Sequence, residues 1–586
     1  MRTLAQSVRT LGAVATGRRH ADLVLTDCSL VNVYTREIQK NIQVSVAGQR
    51  IAYVGTDASH TIAPGTRVID LGGRHLTPGL AEPHMHIDQL VTPSEFANRL
   101  LLRGTTSLFS DPIDIVSVAG YRGFREFVRL ATGLPMRIFN MVPGGLPVDD
   151  KFGDVKTLTL KEEAEAIKLD GVLGLGEVFA WTKVTLQDPR TIQSLVQMLE
   201  AGCVINGHTA GASDRKLQAY VSSGILSCHE PIDFEQTLER LRLGMWIMIR
   251  EGSIRRDLAE IVPRVLSSGT YIDRLMFCAD ELNPVDLEMY GHIDHCIRKA
   301  VELGMNPVDA ITIASRNCFD YYGMGRELGG IAPGKLADMV ILDDPGSFRP
   351  RMVIVGGKIV VRDGALVAQA PRRRVPGWLR RTVDLAELSA ADFAISSKKP
   401  SVRANTIYMA TEIITRPGSQ DLPTRDGNVP ASRDRDIWKV AAFDRISGTK
   451  RSTVGFLENF GAEIGAFAAT KNFHENNLIV IGMDEEEMAM AANHLIRSQG
   501  GMAVVRDGRV VADMPFEIGG IISTRPFERV RSDFEGIDGT IADAGCKFSR
   551  PSLIPVFLPF LALPSVRILH SGMVDVKRRT LIPPIV

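Results

Sequence analysis

Short apolar runs that each end in polar residues recur along residues 79–330, and stretches with helical periodicity separate them. GVLGLGEVF, CVINGHT and LMFCADELNP are such runs, and HIDHCIRKAVELG spaces its apolar residues as a helix does. Polar residues at the ends of strands that alternate with helices are typical of a (β/α)8 barrel, whose active sites lie at the carboxyl ends of its strands. The sequence therefore predicts an α/β fold built on a distorted TIM-like barrel.

The segments on either side of the barrel are rich in short alternating apolar runs, which indicate β-strands. Residues 1–78 and 331–370 share this pattern of alternating apolar residues, so we expect them to form the two parts of one small β-sandwich domain. A charged, proline-containing stretch over 371–400 predicts a linker. Residues 401–586 then predict an extra C-terminal α/β domain.

Composition narrows the function classes. The 586 residues include 68 basic and 68 acidic side chains, and this zero net charge argues against a nucleic-acid partner. No apolar run reaches the roughly 20 residues that span a bilayer, so we expect no membrane partner. Seven cysteines without a C-x-x-C pair favour a reducing cytoplasm over a disulfide framework.

The motif PGLAEPHMH is the strongest chemical signal in the chain. It places His84 and His86 two residues apart at the end of an apolar run. Residues i and i+2 of a strand point to the same face, so both imidazoles are available to one divalent ion. The alternative is a pair of ordinary surface or capping histidines.

Four further polar residues close later apolar runs of the predicted barrel: Glu177, His208, His229 and Asp280. Each alone has an ordinary explanation, such as a helix N-cap for Asp280 or a polar turn for Glu177. Six such residues at the strand ends of one barrel predict a metal centre, because carboxylates and imidazoles are the usual ligands of divalent ions.

These motifs resemble the amidohydrolase superfamily and, within it, the adenine deaminase family. The resemblance covers nearly the whole chain and rests on TPGLAEPHMHI, RGTTSLFSDP, GLGEVF, GHTAG, MIREGS, CADELNP, GHIDHCIRKA, IAPGKLADMVILDD and GGMAVVRDGRV. It implies a composite β-sandwich, a distorted barrel and a C-terminal domain. It also implies two divalent metal ions, usually manganese or iron, with zinc as an alternative.

The resemblance assigns a role to each ligand. His84 and His86 would hold the more buried metal, and Glu177 would bridge both metals. His208 and His229 would hold the second metal.

Asp280 would bind a metal and take the proton of a metal-bridged hydroxide, so that Asp280 and Glu177 are the expected catalytic residues. Two cations lower the pKa of a shared water, and an adjacent aspartate can pass its proton to a leaving amine. The expected reaction is hydrolytic deamination of adenine, giving hypoxanthine and ammonia, or of a related aminated heterocycle. The alternative is a cyclic amide, imide or lactone hydrolase on the same binuclear site. A non-enzymatic binding protein is disfavoured because all six ligands are present.

Several positions near the expected pocket depart from the family pattern. Asp88-Gln89-Leu90 replaces Glu-Ser-Ser, Glu281 replaces an aspartate, and residues 472–477 replace Ser-His-Asp-Ser-His-Asn. Ile113 and Phe473 stand where the family has histidine, so they replace hydrogen-bonding side chains with apolar surface in the expected pocket. We therefore expect adenine to be at best a modest substrate. The candidate substrate-binding residues are Asp88, Gln89, Asp111, Arg250, Glu251 and Glu281. We also expect a homodimer or a higher homo-oligomer.

Overall fold

Eight parallel strands form the centre of the molecule, in a computed structural model that describes residues 3–586. They pair as a sheet of five and a sheet of three, and a bridge between Met85 and Asp280 joins the last strand to the first. The strands are Leu80–Met85, Thr105–Ser110, Arg137–Val142, Val172–Val178, Val204–Gly207, Ser227–Cys228, Trp246–Arg250 and Leu275–Cys278. Between the fifth and sixth strands, Gly207 N donates to Ser227 Oγ at 3.1 Å. The prediction of a distorted barrel is confirmed.

Helices follow the barrel strands and cover the outside of the barrel. Several begin at a side chain that accepts a backbone N–H, as Asp188, Asp233 and Asn283 do, which satisfies part of the unpaired first turn. The helices are Pro93–Leu102, Ile113–Ala131, Leu160–Ala166, Trp181–Thr185, Pro189–Glu200, Asp214–Ser222, Phe234–Arg242, Leu258–Ser268, Pro284–Met289, Ile293–Glu302, Pro307–Ile313 and Arg316–Tyr321.

A nine-stranded sheet contains strands from before and after the barrel. Its two halves meet where His75–Pro78 pairs antiparallel with Met339–Leu342. Alternating apolar side chains such as Leu25, Val44 and Ile354 form its buried face. The strands are Leu23–Asn32, Glu37–Ala47, Arg50–Gly55, Arg67–Asp70, His75–Pro78, Met339–Leu342, Pro350–Val355, Lys358–Arg362 and Ala365–Leu366. The helix Leu4–Ala15 packs on this sheet.

The C-terminal part of the chain forms a separate sheet domain. Its eight strands are Ser401–Met409, Thr415–Pro423, Ile437–Phe443, Ser452–Glu458, Ala466–Ala469, Leu478–Gly482, Gly501–Arg506 and Arg509–Pro515. The helix Glu485–Ser498 covers one face and buries Met488 and Leu495 there. Three further strands are Val566–Leu569, Gly572–Asp575 and Thr580–Ile582, and the remaining helices are Phe527–Asp543 and Ile554–Phe557. The predicted extra α/β domain is confirmed.

The sheet domain contacts the barrel at the edge where the barrel strands end. There the short strands Leu90–Val91 and Ile522–Ser523 pair in parallel. Five short 3-10 turns complete the secondary structure: Ser59–Thr61, Gly377–Arg380, Ala390–Phe393, Arg433–Arg435 and Pro551–Leu553. Among residues 3–586, every helix is too short or too polar to cross a membrane.

Candidate metal centre

The first and last barrel strands bring His84, His86 and Asp280 together. Asp280 N donates to His84 O at 3.2 Å, and His86 N donates to Asp280 O at 3.0 Å. Asp280 has a left-handed backbone, with φ at 60°. Its Oδ1 lies 3.1 Å from His84 Nε2 and 3.4 Å from His86 Nε2. The three side chains therefore present one oxygen and two nitrogens to a single point.

Glu177, at the end of the fourth barrel strand, lies between this group and two further histidines. Its Oε1 is 3.2 Å from His86 Nε2. Its Oε2 is 2.7 Å from His208 Nδ1 and 3.3 Å from His229 Nε2. Because the two oxygens face opposite halves of the cluster, this carboxylate is placed to bridge two ions. The structure thus brings together all six predicted metal ligands.

The cluster is buried except on one side. The side chain of His208 is 19% exposed, whereas that of His229 is 2% exposed and that of Asp280 is 8% exposed. A small molecule can therefore approach most directly beside His208.

The buried donors fit a divalent cation. Within residues 3–586, neither ring nitrogen of His84 makes a well-directed hydrogen bond, although the side chain is only 1% exposed. Such orphaned polar atoms are rare in folded proteins and need a partner. In each of three groups, the ligand atoms lie within 4.8 Å of one another: His84, His86 and Asp280; His84, Glu177 and His229; and His208, His229 and Glu230. This nitrogen and oxygen donor set suits manganese, iron or zinc.

The electrostatics of the cluster favour positive charge. Burial alone would raise the pKa of Glu177, but hydrogen bonds from His208, His229 and His86 hold it well below its usual range. Burial would lower the pKa of His86, but its contacts with Asp280 and Glu177 hold that pKa well above its usual range. A divalent ion would balance the negative charge of Asp280 and Glu177 in the same way as a proton on His86 does.

His229 is held ready to act as a neutral ligand. Burial, reinforced by the neighbouring His84, lowers the pKa of His229 to about 4. The two rings stack with centroids 4.3 Å apart. A neutral imidazole keeps the lone pair that a metal needs.

Asp111, a predicted substrate contact, supports two of the metal-centre residues. His86 Nδ1 donates to Asp111 O at 2.7 Å, which leaves the lone pair of Nε2 facing the centre. Asp111 Oδ2 accepts the backbone N–H of Glu177 at 2.6 Å. Asp111 therefore orients one histidine and one carboxylate.

Arg250, another predicted substrate contact, is buried and forms ion pairs with Asp280 and Glu230. Burial would raise the pKa of Glu230, but His208 and Arg250 lower it to about 2. Glu230 Oε1 also lies 3.5 Å from His229 Nε2. The guanidinium thus holds together two carboxylates at the rim of the centre.

Asp88, Gln89 and Glu281 lie beside the cluster. Gln89 Nε2 donates both to Glu281 Oε2 and, at 3.4 Å, to His86 O. Asp88 accepts a hydrogen bond from Ile115 N at 2.8 Å through one oxygen, while its other oxygen is buried without a hydrogen-bond partner in the part of the chain that the structure describes. Burial raises the pKa of Asp88 to about 7 and that of Glu281 to about 7. These groups form a polar edge next to the metal ligands.

Glu251 is placed differently from the other predicted pocket residues. Its Oε1 accepts from Lys299 Nζ at 2.6 Å and lies 3.5 Å from His295 Nε2. The Glu251 side chain therefore pairs with two residues of the helix Ile293–Glu302.

Sequence reasoning assigned no role to two further residues, Glu82 and His474. Glu82 accepts the backbone N–H groups of His84 and Ala279, both at 2.9 Å, and lies 3.0 Å from His292 Nε2. The period of two along the first strand was a usable signal, because it relates Glu82 to His84. His474 comes from the C-terminal domain, and its ring centroid lies 6.4 Å from that of His86. No local pattern predicts that contact, although the family resemblance places residues 472–477 near the expected pocket.

Comparisons with known proteins found matching family models and similar chains. The amidohydrolase family model matches residues 75–360, and the adenine deaminase C-terminal domain model matches residues 412–580. An adenine deaminase of Cenarchaeum symbiosum is 58% identical over 585 residues, covering 100% of this chain and 96% of its own. One from Moorella thermoacetica is 36% identical, covering 98% and 97%. The solved beta-aspartyl dipeptidase of Fervidobacterium islandicum AW-1 has 17% identity and a TM-score of 0.48, covering 59% and 97%.

Proposed function

Because the chain belongs to the amidohydrolase family and, within it, to the adenine deaminases, we propose that it catalyses the hydrolytic deamination of adenine to hypoxanthine and ammonia. The observation that carries the proposal is the convergence of six imidazole and carboxylate side chains on one buried centre. The relatives named adenine deaminase match this chain over nearly its full length, which supports the choice of substrate.

We propose that two divalent ions bind at this centre, with manganese or iron expected and zinc as the alternative. The proposed ligands are the six converging residues: His84, His86, Glu177, His208, His229 and Asp280. When bound, such ions lower the pKa of water and supply hydroxide near neutral pH. Glu177 would bridge, since its oxygens face opposite halves of the cluster.

Asp280 is the proposed proton carrier. Burial would raise its pKa, but the charge of Arg250 and the contacts with His84 and His86 hold the pKa well below its usual range. The carboxylate is therefore ionised at the start of the reaction. Its Oδ1 faces the centre, where it can accept a proton from the attacking water and return it to the leaving amino group.

We propose that Asp88, Gln89 and Glu281 recognise the edge of the substrate ring. Asp88 and Gln89 each keep one buried oxygen without a hydrogen-bond partner among the described residues, and both oxygens can accept a ring or amino N–H. A substrate that leaves such groups unpaired is penalised by about 1–3 kcal/mol for each group.

The test is a substrate screen of the full chain loaded separately with manganese, iron and zinc. Ammonia release is measured from adenine and from other aminated heterocycles, and ring opening is measured with cyclic amides, imides and lactones. A kcat/KM for adenine above about 10⁵ M⁻¹s⁻¹ would establish an efficient adenine deaminase and rule out the expectation of a modest substrate. Ring opening without ammonia release from any aminated ring would overturn the proposal. The metal-loaded Asp280→Asn variant controls for a contaminating deaminase.

We propose a cytoplasmic location, which is supported by seven cysteines that are all free, six of them buried. A homodimer or higher homo-oligomer remains our prediction. Sedimentation velocity of the metal-loaded full chain tests that assembly.

A further inference from the structure

A loop of the C-terminal sheet domain reaches the active-site edge of the barrel. Residues 470–477 connect the strands Ala466–Ala469 and Leu478–Gly482. His474 N donates to Asp114 Oδ1 at 3.1 Å, and Asn476 Nδ2 donates to Ser117 Oγ at 2.6 Å. Both acceptors lie in the first turns of the helix that follows the second barrel strand. The loop is therefore attached to the edge of the barrel that carries the metal centre.

The loop is held in an uncommon backbone conformation. His474 has φ at 61° and Asn476 has φ at 46°, in the left-handed region that few residues other than glycine adopt. The buried Arg445 donates through Nε to Asn476 O at 2.7 Å and through Nη2 to Gly519 O at 3.1 Å. Outliers of this kind persist only where their surroundings impose them, and they cluster at functional sites.

Aromatic rings fix the side chain of His474. Its ring stacks on Phe179 with centroids 5.1 Å apart and an interplanar angle of 12°. Phe560 meets it edge-on at 5.2 Å. Phe179 lies two residues after Glu177, so the imidazole is held against the strand end that supplies the bridging carboxylate.

One ring nitrogen of this imidazole lacks a well-directed hydrogen bond among the described residues. That atom, Nδ1, is buried and lies 3.5 Å from Asp114 Oδ1, which is too far for a well-directed hydrogen bond. The ring belongs to none of the three groups of candidate metal-binding residues, although it lies beside His86. An imidazole placed by aromatic packing next to a metal centre is suited to hydrogen-bond a ring nitrogen of a heterocycle.

We propose that His474 is a substrate-orienting residue, which hydrogen-bonds the nitrogen-containing edge of the aminated heterocycle while its stacked ring sets the position of that edge beside the metal ligands. The inference rests on the proposed function for the identity of the ring. The active site is then incomplete without the C-terminal domain, because the loop 470–477 carries this group across to the barrel.

The test compares three variants of the metal-loaded full chain. His474→Phe keeps an aromatic ring on Phe179 but has no nitrogen, His474→Gln keeps a hydrogen-bonding group, and His494→Ala is a control on a partly exposed helix of the same domain. We measure kcat and KM for adenine, metal content, and the Kd for unsubstituted purine, which has no amino group to lose.

We expect His474→Phe to raise KM for adenine and Kd for purine roughly tenfold, with kcat within about threefold and unchanged metal content. His474→Gln should recover part of the loss, and His494→Ala should match the wild type. Unchanged KM and Kd in His474→Phe would overturn the inference, and so would a loss of metal.

The wild type separates this inference from the proposed function. A wild type that binds purine but does not deaminate adenine refutes the function, while weaker purine binding by His474→Phe still supports the inference. A wild type that binds neither ring overturns both.

Discussion

Arg250 forms a buried ion pair with Asp280, whose other oxygen lies against the two histidines of the first barrel strand. The pairing leaves Oδ1 directed at the metal centre and keeps the carboxylate ionised. Arg250 also pairs with Glu230, so one guanidinium contacts two carboxylates from different strand ends, and Arg255 supplies a second positive charge to Glu230. Removing Arg250 would take the guanidinium partner from the buried Asp280, while Glu230 would keep its ion pair with Arg255.

We expect Arg250→Met to lower the free energy of unfolding by about 3–5 kcal/mol, because breaking a buried ion pair leaves an uncompensated charge. Urea denaturation of the purified chain measures the change. Arg497→Met is the control, since its pair with Glu387 is largely exposed and should contribute less than about 1 kcal/mol. A loss below 1 kcal/mol in Arg250→Met would contradict the prediction.

His84→Ala should lose bound metal. The ring nitrogens of His84 are buried, and two of the three candidate ligand groups include this residue. Metal analysis of the purified full chain should find up to two divalent ions in the wild type and clearly fewer in the variant. His494→Ala should retain the wild-type content. Full activity in a metal-free preparation would show that the centre has another purpose.

Asp280→Asn should keep the fold and lose most turnover. A positioned general acid or base contributes roughly 10²- to 10⁴-fold, and a weakened metal contact adds to the loss. The measurement is kcat for the metal-loaded variant, with circular dichroism to verify folding. Turnover within about threefold of the wild type would instead assign the proton transfer to Glu281, whose pKa is raised to about 7 by burial.

Glu475→Gln should stabilise the protein at alkaline pH more than at acidic pH. Glu475 is buried, and neither of its carboxylate oxygens has a hydrogen-bond partner in residues 3–586. Burial, with Asp149 and Asp154 nearby, raises its pKa to about 8 from the usual 4.5. Between these two values the folded chain binds a proton that the unfolded chain has released, so wild-type stability falls as pH rises from about 4.5 to about 8.

The glutamine variant lacks this loss of stability, and its advantage over the wild type in free energy of unfolding should grow by about 4 kcal/mol between pH 5 and pH 8.5. Denaturation curves at the two pH values measure it. The control is Glu535→Gln, which removes a partly exposed carboxylate paired with Arg531. An advantage that is the same at both pH values would show that Glu475 is not the titrating group.

Local sequence was sufficient to predict the barrel and the positions that converge at its centre. Strand periodicity determines which way His84 and His86 point, and each of the other four candidate ligands closes its own apolar run. These are properties of short segments, and parallel strand ends meet at the same edge whichever residues follow. The six side chains were therefore identifiable before any tertiary contact was known.

Only the tertiary structure decided which groups surround those six. Arg250 forms ion pairs with Glu230 and Asp280, while the next residue, Glu251, forms an ion pair with Lys299. His474 reaches Asp114 across 360 positions of the chain. Periodicity gives the direction of a side chain relative to its own strand, but its partner depends on how separate elements pack. That packing depends on the burial of apolar side chains and the pairing of polar groups over the whole molecule, so no short segment of the sequence determines it.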